Sequence, residues 1–319
     1  MSNLTFLIQQ MMMFMIPLLV VALAAMYSER SGVVNIAMEG IMIVGAFTGT
    51  LFINQMQASE TLSGYPLLFA ALLVAAVSGL IFSAFHAYAS INMSADQTIS
   101  GTALNLFAPA FAIFVARSVI GIQQVQFFNE FRISKVPILG DIPIIGPFFF
   151  QQTYFTTFLG ILILIISQIV IYRTRFGLRL RSVGEYPQAT DAAGVSVKKM
   201  RYAGVLISGI LAGMGGLIYI LPISTNFNAD VAGYGFLAIA VLIFGQWKPI
   251  YIFLGSAFFA LMKTISAAYS GIPFLAGLGL PPVIYQILPY VATLVVLVLT
   301  SKKSAAPAAL GEPFDKGKR

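Results

Sequence analysis

Three polar stretches break an otherwise apolar chain, and they hold the residue types best suited to chemistry. The first is Ser28-Glu-Arg-Ser-Gly-Val-Val-Asn-Ile-Ala-Met-Glu-Gly40. Glu29 and Arg30 read as a neighbouring pair at a membrane interface, where such a pair is worth little. Glu39 differs because it opens an apolar run. A carboxylate inside a bilayer is costly and faces a cavity or a partner; the alternative is an interfacial carboxylate that caps a helix N-terminus. The second stretch is Asn92-Met-Ser-Ala-Asp-Gln-Thr-Ile-Ser-Gly-Thr-Ala-Leu-Asn105. Asp96 fits an N-cap, with Ser94 and Thr98 beside it. Gln97, Thr102 and Asn105 are able to line a polar path. Asn105, about two turns in, suits interhelical hydrogen bonding or contact with a solute. Asn226 is a further candidate on such a path.

The third stretch is Thr174-Arg-Phe-Gly-Leu-Arg-Leu-Arg-Ser-Val-Gly-Glu-Tyr-Pro-Gln-Ala-Thr-Asp-Ala-Ala-Gly-Val195. It is longer than a joint between two helices requires. Pro187 can start a short helix, Glu185 and Asp191 suit its first turns, and Gly194 can end it. Such a helix beneath a membrane is a part that another protein can grip. The competing reading is a solvated helix on a basic anchor.

Other chemistries are excluded by what is missing. The chain has 319 residues and no cysteine, so disulfides, thiolate metal sites and a cysteine nucleophile are ruled out. The single His86 rules out multi-histidine metal centres and argues against a Ser-His-Asp triad. No G-x-x-x-x-G-K-[ST] phosphate loop occurs, and Gly213-Met-Gly-Gly216 lies within an apolar run. No cofactor is expected in this chain. The net charge of +7 is concentrated in two stretches between or after apolar blocks, which fits membrane orientation and not nucleic-acid binding.

The elements that must position these residues are membrane helices. Hydrophobic residues make up 59% and charged residues 9%, against roughly a quarter charged in a soluble domain. The expected fold is an all-α membrane protein, a polytopic bundle of about nine (8–10) transmembrane helices. Charge-free runs trimmed at Pro, Gly and Asn give spans near 7–26, 37–54, 66–89, 99–117, 154–172, 202–221, 232–246, 250–269 and 282–300. They form a single transmembrane domain over residues 1–300. The second and seventh are short enough to be re-entrant. The initial apolar stretch has no charged n-region and reads as a retained helix.

The segment 173–201 carries seven Lys and Arg residues, and the tail carries five more, at Lys302, Lys303, Lys316, Lys318 and Arg319. Both are expected in the cytoplasm, with the N-terminus and the 118–153 loop outside. The tail, 301–319, is rich in Ala, Pro and Lys and is expected to be disordered. Gly45 with Gly49, and Gly209 with Gly213, are spaced for close helix packing. Trp247-Lys-Pro249 reads as an interfacial turn, Lys263 as a snorkelling side chain, and His86 as hydrogen-bonded structure. Asn35-Ile-Ala-Met-Glu-Gly40 and Gly235-Phe-Leu-Ala-Ile-Ala240 look faintly alike, by chance or as a trace of duplication.

Glu29–Gly40, Ala95–Asn105, Phe176–Val195 and Phe244-Gly-Gln-Trp-Lys-Pro249 together resemble the permeases of importers for branched-chain amino acids, simple sugars and nucleosides that are driven by ABC ATPases. The resemblance spans residues 20–300 and is nearest to the nucleoside and simple-sugar branch. It implies a non-catalytic subunit working with a second, similar permease, two ATP-binding units that carry ATP and Mg, and an extracellular binding protein, commonly a lipoprotein. It also implies that Glu185–Gly194 is the coupling helix, with Glu185, Gln188, Asp191, Ala192 and Gly194 meeting the ATPase. Many relatives are described with about ten helices. Nucleosides lead the expected substrates, before simple sugars and branched-chain amino acids. A gradient-driven transporter working alone and a non-transporting scaffold are the competing classes.

Overall fold

The charge-free runs fold as helices because a bilayer offers no water to the backbone, so each segment must satisfy its own N–H and C=O groups. The computed structural model describes residues 2–143, 145–271, 277–279, 281–300 and 306–317. Its helices are α1 (Ser2–Arg30), α2 (Met38–Ala58), α3 (Gly64–Ile91), α4 (Gln97–Ile120), α5 (Phe155–Arg173), α6 (Arg175–Glu185), α7 (Pro187–Ala192), α8 (Val197–Ile223), α9 (Tyr234–Phe244), α10 (Pro249–Ala268) and α11 (Pro282–Thr300). Seven of them, α1 to α5, α8 and α10, are long and apolar enough to cross a membrane. α11 adds a largely apolar helix of 19 residues. α9 has only 11 residues, about 16 Å of helix against a hydrocarbon layer of about 30 Å. The run at 232–246 is therefore half a crossing, not the full span its hydropathy suggests.

α1 is the central helix, buried on every side from Met15 to Arg30. α8 lies along it and packs between α2 and α3. Small residues make this possible. A Cβ on Gly45 would run into the backbone of Gly213, one on Gly213 into Ala75, and one on Gly79 into Gly209. With hydrogens in their place the helix backbones touch, which is how helices gain contact in lipid. α3, α4, α5, α10 and α11 carry outward apolar side chains, among them Phe85, Leu106, Phe114, Ile165, Leu254 and Leu294.

The two ends of the bundle differ. At one end, two short antiparallel ladders close the long loop. β1 (Val125–Gln126) pairs with β4 (Asn226–Phe227), and β2 (Arg132–Lys135) with β3 (Gln151–Tyr154). This is called the far face. The opposite, basic face carries α6, α7 and the tail. α6 was not apparent as a separate helix in the sequence. It turns Leu180 and Val183 inward, with Gly177 packed on the backbone of Val170.

The tail departs from expectation. Residues 306–317 are folded against the basic face, not disordered: the Ala309 N–H donates to the Gly184 carbonyl at 2.9 Å and the Gly311 N–H to the Gly32 carbonyl at 3.0 Å. Backbone pairing of this kind is blind to side-chain composition, which is why composition pointed the other way. Lys302, Lys303, Lys318 and Arg319 lie outside the described residues.

Candidate functional site

α1 ends at Arg30 and α2 begins at Met38, and the chain between them is not helical. It does not turn on the surface. Gly32 lies beside the Arg201 side chain, while the Asn35 amide donates to the Ser208 hydroxyl at 3.3 Å. Seven residues separate these levels on α8, so the segment runs about 10 Å into the bundle before α2 starts.

Unpaired backbone at that depth is costly, and side chains from α3 and α4 supply the missing partners. The Val34 N–H donates to Gln97 Oε1 at 2.7 Å. The Val34 carbonyl lies 2.9 Å from His86 Nε2, whose Nδ1 is 2.8 Å from the Ser100 hydroxyl. Asn105 works in both directions: Nδ2 donates to the Ile36 carbonyl at 2.8 Å, and Oδ1 accepts from the Gly40 N–H at 2.7 Å. Gly101 lets α4 approach, since a Cβ there would lie 3.0 Å from the Ala37 nitrogen. The first and second polar stretches are thus two halves of one brace. Asn105, read as a candidate for a solute path, is spent on the backbone of the break, and Gln97, read likewise, gives it Oε1 while its buried Nε2 has no partner among the described residues. Asp96 caps α4, accepting from the Thr98 and Ile99 N–H groups.

Glu39 closes a second break. After β4 the chain returns from the far face into the bundle, where α9 starts at Tyr234. The Glu39 carboxyl accepts from the Gly233 N–H at 2.8 Å and the Gly235 N–H at 2.6 Å. It caps a helix N-terminus, but that of α9 rather than of its own helix, and it does so inside the bundle. Gly235 is required because a Cβ would lie 2.7 Å from Glu39 Oε2. From this meeting point α2 runs to the far face, where Asn54 bonds the Gln126 carbonyl. α9 runs the other way, to Trp247. The full-length α2 and the half-length α9 thus start at one level and run in opposite directions, as in an inverted repeat, and their starts fall on the two strings that look faintly alike.

Beyond α9, Glu29 and Arg30 are not a solvated pair. Both are buried, and they grip the turn after α9 from two sides. Trp247 Nε1 donates to Glu29 Oε2 at 2.6 Å, and Arg30 Nε and Nη2 donate to the Trp247 carbonyl at 3.2 and 3.1 Å. Trp247 is 3% exposed, so it is not a headgroup anchor; a buried carboxyl gives its N–H a better partner than the interface would. Lys263 places Nζ 5.8 Å from the Tyr234 ring centre.

On the basic face, α7 starts at Pro187 and its exit bends through Gly194 at φ +81°, as the spacing predicts. Gln188, Ala192 and Gly194 are exposed. Glu185 and Asp191 are engaged within the chain: Glu185 lies 3.8 Å from Arg30 and accepts from the Ala308 N–H, and Asp191 lies 3.5 Å from Lys316. On the far face, Asn226 joins Asn54, Gln57, Gln126 and Asn129 around a cavity of about 410 Å³ that also carries Phe127 and Phe128. It contains no ionisable side chain. Such a lining suits a neutral solute with hydrogen-bonding edges and an aromatic face.

The family model described as the branched-chain amino acid transport system permease component matches residues 7–297. The chain belongs to this permease family. The permease is 42% identical to the guanosine ABC transporter permease protein NupQ of Bacillus subtilis, with 95% of this chain and 94% of that one covered. It is 41% identical to the nucleoside ABC transporter permease protein NupC of Lactococcus lactis, with 99% of each covered. It is 30% identical to the putative glucose ABC transporter permease protein TsgC13 of Haloferax volcanii, with 94% of each covered. No solved structure matches the permease.

Sequence reasoning read His86 as hydrogen-bonded structure without naming its partners Val34 and Ser100, and it missed two further contacts of the permease, the Trp247–Glu29 bond and the folded tail. His86 had a usable signal, since a lone histidine near the end of an apolar helix needs a partner. The other two join residues more than a hundred positions apart, with no local pattern to show it.

Proposed function

We propose that this permease is the membrane subunit of an ATP-driven importer of nucleosides, with its basic face in the cytoplasm. The observation that carries the reading is full-length similarity, above 40% identity, to two permeases named for guanosine and nucleoside transport. The neutral, amide-lined far-face cavity supports it, because nucleosides are uncharged and present hydrogen-bonding edges and an aromatic base. The basic segment and the folded tail share one face, in keeping with retention of Lys and Arg in the cytoplasm.

In this reading an extracellular binding lipoprotein delivers nucleoside to the far face, where Asn54, Gln126 and Asn226 meet it. A second, similar permease completes the path. ATP and Mg are held by the partner ATPase, which docks on α7 through Gln188, Ala192 and Gly194. Glu185 and Asp191 stiffen that helix from behind. The braced break gives the docking force a stiff route, since α6, Arg30 and Trp247 connect α7 to α9 without a flexible joint.

The test is uptake of labelled guanosine, uridine and glucose in a strain lacking the chromosomal copy, with and without the plasmid-borne permease. Restored nucleoside uptake that unlabelled nucleosides compete away is expected. Restoration of glucose uptake alone would move the assignment to simple sugars, the reading favoured by the Haloferax relative. Accumulation in vesicles that contain this chain and no ATPase would overturn the ATP-driven assignment.

A further inference from the structure

Residues 306–317 bond to four separate parts of the basic face. Ala309 pairs with Gly184 of α6, and Gly311 with Gly32 in the break before α2. The Glu312 carbonyl accepts from Arg201 Nη1 of α8 at 2.8 Å, and Lys316 lies 3.5 Å from Asp191 of α7. Arg201 is 1% exposed, and its Nε and Nη2 have no partner among the described residues. The tail thus supplies the acceptor that this buried guanidinium has there. A strap bonded in this way is part of the fold, and it connects α7 to the break in one step.

Its outer surface continues that of α7. Two hollows of about 540 and 360 Å³ share Lys198, Phe314 and Lys316. One reaches toward Ser94 at the turn between α3 and α4. The other reaches Asp191 and Gly194 at the exit of α7. Phe314 stands between them as an aromatic side chain ringed by charges. Beside it α7 and its exit present Ala189, Ala192, Ala193 and Gly194 to solvent, which are small enough for another protein to approach closely. An aromatic anchor within a polar rim has the composition of a protein interface, not of a lipid-facing surface.

We propose that residues 313–316 and α7 form one composite docking surface for the ATPase, with Phe314 as its apolar anchor and the tail as the strut that passes ATPase movement to Gly32. The proposal rests on the reading of α7 as the ATPase dock.

The chain has no cysteine, so one introduced thiol reports one position. The whole importer is expressed with its ATPase, and Phe314→Cys, Ala192→Cys and, on the far face, Asn226→Cys are each labelled with a thiol-linked photo-crosslinker. Covalent capture of the ATPase is expected from Phe314→Cys and Ala192→Cys and not from Asn226→Cys. Capture from Ala192→Cys but not from Phe314→Cys overturns the composite surface and leaves the α7 dock standing, as does labelling of lipid alone at Phe314→Cys. If no ATPase co-purifies with the unmodified permease, the underlying reading fails and the proposal with it. Phe314→Glu is expected to reduce co-purified ATPase and nucleoside uptake about tenfold, the scale of a lost interface anchor, at an unchanged membrane level. Equal recovery of the ATPase overturns the proposal.

Discussion

Replacing Glu39 with alanine tests the meeting point of α2 and the half-length α9. The side chain holds two N–H groups, of Gly233 and Gly235, at 2.8 and 2.6 Å, and is itself 8% exposed. Removing it strands both donors where water does not replace the acceptor. Each stranded buried donor costs about 1–3 kcal/mol, and the lost attraction between a carboxylate and a helix N-terminus adds about 0.3–2 kcal/mol. The sum is about 2–8 kcal/mol, with the middle of that range expected because α9 can shift slightly. Glu39→Gln keeps one carbonyl acceptor and loses the charge, so about half the effect is expected. The assay is the apparent unfolding temperature of the detergent-purified permease, read beside nucleoside uptake. A fall of several degrees for Glu39→Ala, a smaller one for Glu39→Gln and uptake that declines in step are the expected results. A Glu39→Ala protein as stable as the parent refutes the brace. A Glu39→Gln protein of full stability and no uptake would instead make Glu39 a solute contact.

Four other perturbations have defined outcomes. Gly45→Leu drives a side chain into the Gly213 backbone and should abolish the folded bundle, seen as loss of the monodisperse peak in size-exclusion chromatography. His86→Ala leaves the Val34 carbonyl unpaired, a cost of about 1–3 kcal/mol that should appear as a lower unfolding temperature. Trp247→Phe removes the donor to buried Glu29 at a similar cost, and adding Glu29→Gln should recover part of it. Gly194→Ala forces a side chain into a left-handed backbone, worth about 1–2 kcal/mol. Membrane level should hold while uptake falls, and unchanged uptake would remove the α7 exit from the docking surface.

The apolar runs were legible because the bilayer enforces them: a helix must bond itself, and charges mark where it ends. α7 was legible for a local reason, since Pro187 and Gly194 punctuate it by their own backbone preferences. Depth was not legible. The run around Tyr234–Phe244 read either as a crossing or as a re-entrant piece, and so did that of α2, because composition does not record where a helix starts in the layer. The roles of Gln97, Asn105 and Glu39 were visible only as alternatives, since their partners, Val34, Gly40 and Gly233, lie 63, 65 and 194 positions away. Trp247 was misjudged for the same reason. Its indole suits either an interface or a buried carboxyl, and Glu29 is 218 positions distant.

The return from β4 to α9 also restricts which flank of the molecule hydrocarbon can wet. Asn228, Asp230 and Ala232 stand exposed on non-helical chain between the far-face ladder and the Glu39 cap. Acyl chains have nothing to offer peptide groups or the Asp230 carboxyl. That flank is therefore unsuited to acyl contact, while the exposed apolar side chains of α3, α4 and α5 suit it. A single chain afloat in a bilayer would leave a seam that lipid cannot seal.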